Sequence, residues 1–230
     1  MLLRNPIPLL VMCLATSVAF ADQPPSAVKV STEEQLAFDQ FDRQEIAPWL
    51  TVVPTFEIEN GVLIGRQTRD DHGAVGRLPL QFADVRVDLR FRLEGSKTFN
   101  VVFDDKKYKG SHAGHIARVA VAPNQIRLGD DKEGIMRNDI FELRRDPARK
   151  AEAEPLLVGR GLTVQSKIEQ QRWYDMTIVI QGDVMQVTLD GQKLGQLQSS
   201  GLAHRTKTSV HFSVNGPRAA FDNVRVTRLN

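Results

Sequence analysis

Apolar and polar residues alternate with a period of two along most of the chain after Pro48. Successive side chains of a β-strand point to opposite faces, so such alternation predicts strands with one apolar face. The turn sequences Asn60-Gly61 and Asp190-Gly191 separate the segments and favour tight hairpins. Many short alternating segments joined by turns predict an all-β sandwich or barrel. The clearest segment has apolar residues at Val85, Val87, Leu89, Phe91 and Leu93, and charged residues at Arg86, Asp88, Arg90 and Arg92.

The charged side of this segment has two interpretations. Oppositely charged side chains on a solvent-exposed strand support one another across strands, which predicts an exposed, ion-paired face. The alternative is that one of its arginines reaches a bound ligand.

Two segments interrupt the strand pattern. Residues 138–161 are rich in helix-forming residues, are interrupted by Pro147 and end in glycines, which predicts an insertion with one or two short helices. This insertion is either a surface excursion or a lid over a site. Ser31 and Glu34 form a capping-box pattern, which predicts a short helix within residues 31–41.

The N-terminus is typical of an export signal. Arg4 precedes an apolar run from Leu9 to Ala19, and Ala19-Phe20-Ala21 forms a small-residue cleavage site, so residues 1–21 predict a signal peptide. An apolar run of roughly 11 residues is shorter than the about 20 that span a bilayer, so no integral membrane span is expected. We therefore predict a periplasmic or extracellular protein with a leader at residues 22–44 and a single β-sandwich domain at residues 45–230.

The composition excludes one class of binding partner and one source of stability. Lys and Arg total 30 and Asp and Glu total 28, with the two signs interspersed, so the chain lacks the concentrated positive face that nucleic acid requires. The one cysteine, Cys13, lies in the predicted signal. The mature chain therefore depends on an apolar core rather than on disulfides.

Histidines on strand-like segments are the main candidates for chemistry. Alternation in TSVHFSV places His211 and Ser213 on the face opposite the core. His115 follows a glycine-bearing loop, and its spacing from His112 suits either a metal ion or an acid–base pair. We predict a polar site where His211 approaches His115 and Asp104; the alternative is that these histidines are solvated bystanders.

Carboxylates show no pair that is placed for joint acid–base catalysis. Glu57 and Glu59 share a strand face but are expected to face water, and the adjacent Asp104 and Asp105 are expected to point to opposite faces. Asp130 and Asp131 lie in a predicted turn, as turn residues or calcium ligands.

Aromatic residues are few. Alternation predicts that Trp173 belongs to the core, whereas Trp49 and Tyr108 are the aromatics most available for stacking on a ligand.

The closing third carries a family resemblance. The order RWYDMTIVIQGDVMQVTLDGQKLG, TSVHFSVNG and AAFDNVRVTRL resembles the 3-keto-disaccharide hydrolase domain family, within the concanavalin A-like lectin/glucanase superfamily. LQFADVRVDLRFRLEG and WLTVVPTFEIENGVLIG are similar to the early strands of that family. The resemblance covers residues 45–105 and 170–230 and implies a jelly-roll sandwich of two antiparallel sheets with a sugar site on the concave outer face.

The resemblance implies an exported hydrolase acting on a glycosidic bond of a 3-keto disaccharide or glycoside. The catalytic candidates are Asp104, Asp105, His115 and His211, and the substrate-binding candidates are Arg118, Tyr108 and Ser213; whether a divalent metal ion takes part is left open. A 3-keto group acidifies the neighbouring C–H bond, so one histidine or carboxylate suffices to begin an elimination. Two further functions are compatible with the sequence: a non-catalytic module that binds carbohydrate or protein, and a structural domain.

Overall fold

Fifteen β-strands and one α-helix form the part of the chain that the computed structural model describes, residues 33–230. The strands are β1 (Glu34–Asp39), β2 (Leu50–Val53), β3 (Phe56–Glu59), β4 (Val62–Gly65), β5 (Ala74–Phe82), β6 (Asp84–Leu93), β7 (Thr98–Asp104), β8 (His115–Ala122), β9 (Gln125–Asp130), β10 (Gly161–Gln165), β11 (Tyr174–Gln181), β12 (Val184–Leu189), β13 (Gln192–Gln198), β14 (Lys207–Asn215) and β15 (Ala219–Leu229). The α-helix is α1 (Asn138–Arg145), and short 3-10 helices span His112–Gly114, Lys150–Leu157 and Ser200–Ala203.

The strands form two antiparallel sheets. The eight-stranded sheet has the order β13-β12-β11-β6-β15-β4-β3, with β1 also paired to β15. The seven-stranded sheet has the order β10-β9-β8-β7-β14-β5-β2. The predicted all-β jelly-roll sandwich of two antiparallel sheets is therefore confirmed.

The core fills the space between the two sheets. On β6, Val85, Val87 and Phe91 are fully buried, as the alternation predicts. Phe212 on β14 stacks on Phe221 of β15 with ring centroids 4.5 Å apart, which joins the two sheets. Each large apolar side chain buried in this way stabilises the fold by about 2 kcal/mol. The apolar core therefore supplies the stability that disulfides supply in many exported proteins.

The charged face of β6 points outward and is occupied by ion pairs. Arg86 Nε lies 2.8 Å from Asp88, and Arg90 lies 3.4 Å from Asp175 on β11 and 3.7 Å from Asp222 on β15. This arrangement agrees with the interpretation of an exposed, ion-paired strand face.

Two aromatic residues lie on sides opposite to those expected. The ring of Trp173 is half-buried on the outer face beneath the guanidinium groups of Arg90 and Arg92, at 5.1 and 4.8 Å, because Tyr174 takes the inner position and stacks on Phe91. Trp49, expected to be available for stacking, is only 1 % exposed.

The burial of Trp49 follows from its neighbours. Its ring packs between Phe41 and Phe212, and its indole N–H donates to Asp39 at 3.0 Å. A sugar therefore has no access to this ring.

The predicted helix at residues 31–41 is wrong for its described part, which is strand β1. The second half of β15, Val224–Arg228, offers an unpaired edge beyond its short pairing with β4, and β1 forms hydrogen bonds along it. These bonds outweigh the local capping-box preference. The predicted signal peptide lies outside the described residues; no helix among residues 33–230 is long and apolar enough to cross a membrane.

The insertion between β9 and β10 is helical, as predicted. It contains α1 and the 3-10 helix Lys150–Leu157, and each buries one residue, Ile140 and Ala153. The side chain of Asn138 donates to the carbonyl of Lys109 at 2.7 Å, and Met136 accepts the N–H of His112 at 2.7 Å. The insertion is thereby fixed beside the loop that precedes β8.

Candidate functional site

The outer face of the seven-stranded sheet carries the polar residues of β14. His211 pairs in register with Val102 of β7, and Ser213 pairs with Asn100. Because Val210, Phe212 and Val214 are buried in the core, His211 and Ser213 lie on the opposite face, as the sequence predicts.

An irregularity in strand pairing brings His115 into this group. Phe103 pairs with Ala117, but Asp104 pairs with His115, so Ile116 is an extra residue on β8. A bulge of this kind redirects a side chain relative to simple alternation. His115 consequently lies beside Asp104 on the outer face.

Asp104 is the centre of the group. Its Oδ1 lies 2.6 Å from Nδ1 of His115, its Oδ2 lies 2.6 Å from Nδ1 of His211, and the residue is fully buried. Burial favours a raised pKa for Asp104, but the hydrogen bonds to His115 and His211 outweigh it and hold the pKa of that carboxyl well below its usual range. The ionised carboxylate accepts both Nδ1–H groups, which directs the two Nε2 atoms away from it.

The two imidazoles differ in exposure. The side chain of His211 is 4 % exposed and that of His115 is 15 % exposed. Burial lowers the pKa of His211 below its ordinary value, although Asp104 opposes the shift. Neither Nε2 atom forms a hydrogen bond with another residue in the range 33–230, so both are available to a ligand.

These residues form the floor of a cleft of about 520 Å³, which we call the histidine cleft. One wall comes from the insertion, where Phe141 of α1 stacks on His112 with ring centroids 4.0 Å apart and ring planes 12° apart. Burial lowers the pKa of His112, which favours the neutral ring in this stack. The polar and aromatic lining includes His72, Arg77, Asn100, His112, His115, Arg118, Phe141, His211 and Ser213.

The predicted binding residues Arg118 and Ser213 both line this cleft. Arg118 is fixed through its Nε, which donates to Asp131 at 2.6 Å, so its terminal nitrogens remain available. Ser213 Oγ accepts a hydrogen bond from Asn100 at 2.8 Å.

Asp105 and Tyr108 lie elsewhere. Asp105 accepts a hydrogen bond from Thr206 at 2.8 Å and pairs with Nε2 of His204 at 2.9 Å, and the ring of Tyr108 packs against His204 with centroids 5.1 Å apart. Neither residue lines the histidine cleft. Asp104 and Asp105 therefore point in different directions, as the sequence predicts. The candidates accordingly fall into two groups, one at the histidine cleft and one around His204.

The other carboxylates considered in the sequence, Glu57, Glu59 and Asp130, have structural partners. Glu57 and Glu59 both bind Arg66, and Glu59 also binds Arg218 at 2.6 Å. Asp130, in the region predicted to be a turn, accepts the hydroxyl of Ser199 at 2.5 Å. None of these groups is free to act on a sugar.

Sequence reasoning missed several cleft residues, among them Arg77, His72 and Phe141. One terminal nitrogen of Arg77 lies 3.7 Å from a carboxylate oxygen of Asp104. Alternation within β5 could have placed Arg77 on the outer face. His72 lies in a loop and Phe141 in the insertion, and no local pattern connects either residue to the cleft.

The Asp104, His115 and His211 set has the donor types of a divalent metal site, with ligand atoms within 4.8 Å of one another. Two ligands of one tetrahedral ion lie roughly 3.3 Å apart when each bond is near 2.0–2.1 Å. The observed oxygen–nitrogen distances of 2.6 Å are hydrogen-bonding distances, so the side chains would have to separate to hold an ion. Whether a divalent metal ion takes part, which the sequence left open, stays open on this geometry.

The chain matches no protein-family model, and no curated protein matches it. Solved structures do match its fold. A laminarinase from Rhodothermus marinus superposes with a TM-score of 0.58 at 14 % identity, covering 88 % of this chain and 100 % of that chain. The carbohydrate-binding module CBM66 from Bacillus subtilis superposes with a TM-score of 0.51 at 13 % identity, covering 76 % of this chain and 92 % of that chain.

A third match is a sialidase, with a TM-score of 0.59 and 14 % identity. It covers 84 % of this chain, while this chain spans only 18 % of the sialidase. At these identities the likeness establishes the concanavalin-like jelly-roll fold, and membership in the 3-keto-disaccharide hydrolase family stays a prediction.

Proposed function

We propose that this chain is an exported carbohydrate-active protein that cleaves a glycosidic bond of a 3-keto disaccharide or glycoside by histidine acid–base catalysis. The observation that carries the proposal is the pair His115 and His211, both held by the carboxylate of Asp104 at the floor of the histidine cleft. The similarity of fold to a laminarinase and to a carbohydrate-binding module supports a sugar as the ligand. Export rests on the sequence of residues 1–21.

The cleft favours histidine chemistry over a pair of carboxyl groups. An ordinary glycosidase needs two carboxyl groups that flank the scissile bond. Asp104 is fully buried and both of its oxygens bind imidazoles, so it orients the histidines and does not contact the sugar. A ketone at C3 of the substrate makes a carboxyl pair unnecessary, because it acidifies the hydrogen on C2.

The reaction that fits these groups is an elimination followed by addition of water. Nε2 of neutral His211 takes the proton from C2, and the electrons of that C–H bond form a C2–C3 double bond while the C3 ketone becomes an enolate. The enolate then re-forms the ketone, a C1–C2 double bond forms, and the glycosidic C1–O bond breaks. The departing oxygen takes a proton from Nε2 of protonated His115. Water then adds its hydroxyl to C1, giving its proton to His115, while His211 returns a proton to C2; the sum is hydrolysis.

The assignment of the two histidines follows from their surroundings. His211 suits the base because burial lowers its pKa and keeps it neutral. His115 suits the acid because it is more exposed towards the cleft, where the leaving group departs. Arg77 lines the same cleft and offers a positive charge to the enolate oxygen that forms at C3.

The test is an assay of the purified chain with 3-keto disaccharides, measured with and without a chelator. We expect turnover by the wild-type chain and a loss of about 10²–10⁴-fold in His115→Ala and His211→Ala, the usual contribution of a general acid or base. His204→Ala is the matched control, since His204 also pairs with an aspartate but lies outside the histidine cleft. Loss of activity with chelator, restored by a divalent ion, would replace acid–base catalysis with a metal mechanism.

A binding module is the opposing outcome. If 3-keto and ordinary glycans bind in the cleft and no product forms under any condition, the catalytic proposal is wrong. Retention of full turnover in both histidine variants would contradict it equally.

A further inference from the structure

A second recess adjoins the histidine cleft on the same outer face. It has a volume of about 480 Å³, and we call it the arginine hollow because Arg118, Arg127 and Arg160 line it. Asn100, Arg118 and Asn215 border both recesses. The two recesses therefore lie side by side, within reach of one elongated ligand.

The charge in the hollow is positive. Asp130 is the one carboxylate among its lining residues, and it is 1 % exposed. Its Oδ2 accepts the hydroxyl of Ser199 and the N–H of Gly201, and its Oδ1 accepts the N–H of Glu133. Asp130 is thus already satisfied by the protein and does not compete with an anionic ligand.

Two of the three arginines have protein partners. Arg118 donates to Asp131 at 2.6 Å. Arg160 lies 4.0 Å from Asp130 and donates to the hydroxyls of Ser199 and Ser200. Each of these guanidinium groups is held in place and has nitrogens left over for a ligand.

Arg127 is different, because its side chain forms no hydrogen bond or ion pair with any other residue within 33–230. It is exposed on the outer face of β9, and its neighbours in register are Ala120 on β8 and Thr163 on β10. These side chains are too short to cover the guanidinium group. Its planar set of donors matches the two oxygens of a carboxylate or sulfate.

The distance between His211 and Arg127 determines how long a ligand must be to contact both. In register, His211 on β14 leads across Val102 on β7 and Arg118 on β8 to Gly129 on β9. Three strand spacings separate β14 from β9, which is roughly 14 Å. A group bound at Arg127 therefore belongs to a different sugar ring from the one at His211.

We propose that the arginine hollow binds an acidic group, a carboxylate or a sulfate ester, on one sugar of a glycan whose other end occupies the histidine cleft. This inference rests on the proposed function and names its substrate class, which is acidic oligosaccharides. Arg127 is the residue that selects the anion, and Arg118 and Arg160 support it.

Calorimetric titration of the purified chain tests the inference without turnover. The probes are oligogalacturonate, a sulfated galactan oligosaccharide and a neutral galactan oligosaccharide of the same length. We expect at least one acidic probe to bind 10-fold or more tightly than the neutral probe, with the preference falling at high salt. Comparison of the two acidic probes distinguishes a carboxylate from a sulfate.

Two variants distinguish binding in the arginine hollow from non-specific attraction to the charge of the whole protein. We expect Arg127→Gln to remove about 10-fold of the affinity for the acidic probe and to leave the neutral probe unchanged. Arg205→Gln is the matched control, because Arg205 is equally exposed but lies outside both recesses. Equal affinity for acidic and neutral probes, or an Arg127→Gln variant that binds like the wild type, would overturn the inference.

The results also distinguish this inference from the proposed function. Binding of an acidic probe that depends on Arg127, without turnover of any 3-keto substrate, would retain the hollow and reject the catalysis. Turnover of neutral 3-keto disaccharides without any preference for acidic probes would do the reverse.

Discussion

The two outer faces of the sandwich carry polar residues with opposite properties. On the eight-stranded sheet, Arg86 binds Asp88 and Arg90 binds Asp175 and Asp222, so the charges neutralise one another across neighbouring strands. On the seven-stranded sheet, Nε2 of His115 and of His211 have no partner in the described part of the chain. Polar groups that satisfy one another stabilise a face, and polar groups that are positioned but unsatisfied mark a site for a ligand.

The largest expected effect comes from removing the charge that orients the two histidines. Asp104→Asn replaces one acceptor oxygen with an NH2 group, which donates and cannot accept an Nδ1–H, so one imidazole adopts the wrong tautomer or turns away. We expect turnover of a 3-keto disaccharide to fall about 10³-fold or more, by analogy with known aspartate–histidine pairs. The measurement is kcat/KM on protein shown to be folded by circular dichroism.

Asp105→Asn is the matched control for this change. Asp105 is the next residue and also pairs with a histidine, but it lies outside the cleft. An equal loss of turnover in both variants would show that the adjacent aspartates share one role and would contradict the division between them.

A smaller effect is expected at the wall of the cleft. Phe141→Ala removes the ring that stacks on His112, and an aromatic pair of this kind contributes about 0.5–1.5 kcal/mol. We expect KM to rise by up to about 10-fold with kcat changed less than about 2-fold. Phe141→Tyr keeps the ring and should restore KM; a loss of kcat alone would place Phe141 in the chemistry instead of in binding.

A smaller effect than that of Phe141→Ala is expected when the pH is changed, because the pKa of His211 sets the acidic limb of turnover. Burial lowers the pKa of His211 below the 6.5 of a free histidine, so the base stays neutral in slightly acidic solution. The acidic limb of kcat/KM should therefore have its midpoint below pH 6.5. The same shift destabilises the fold in acid, since the unfolded chain takes up a proton near pH 6.5 and the folded chain does so only at lower pH.

A profile of kcat/KM from pH 4 to 9 checks this prediction. An acidic midpoint above pH 6.5 that is lost in His211→Ala would show that Asp104 raises the pKa of His211 more than burial lowers it.

The smallest effect is expected on the ion-paired face. Arg86→Ala breaks a pair in which Arg86 is 45 % exposed, and exposed pairs contribute about 0.2–1 kcal/mol. We expect the free energy of unfolding, measured with urea, to fall by no more than about 1 kcal/mol, with turnover unchanged. Loss of turnover would mean that the eight-stranded sheet also contributes to a functional site.

Much of the fold followed from the sequence, because strand alternation is a local property. The faces of β6 and β14 were predicted correctly from apolar spacing alone. Trp173 was placed on the wrong side, because the buried residues of β11 are Tyr174, Met176, Ile178 and Ile180, and alternation in that phase turns Trp173 outward. The helix predicted near Glu34 was wrong because a strand far along the chain, β15, supplied hydrogen bonds that no local pattern contains.

The candidate site was harder to predict than the fold, because its residues are far apart in the sequence. The sequence identified Asp104, His115 and His211 as polar outward candidates, but Asp104 and His211 are 107 residues apart and meet only because β7 and β14 are neighbours. The turn of His115 towards Asp104 depends on the pairing irregularity at Ile116.

By itself, the sequence determined that this chain forms strands, which residues of β6 and β14 face the core, and that acidic and basic residues balance. The tertiary structure decided which polar residues became partners, placing Phe141 over His112 and leaving Arg127 uncovered. The physical reason is that alternation reports only the side of a strand on which a residue lies. The neighbours on that side come from strand order and register, which are set by the packing of the whole sandwich.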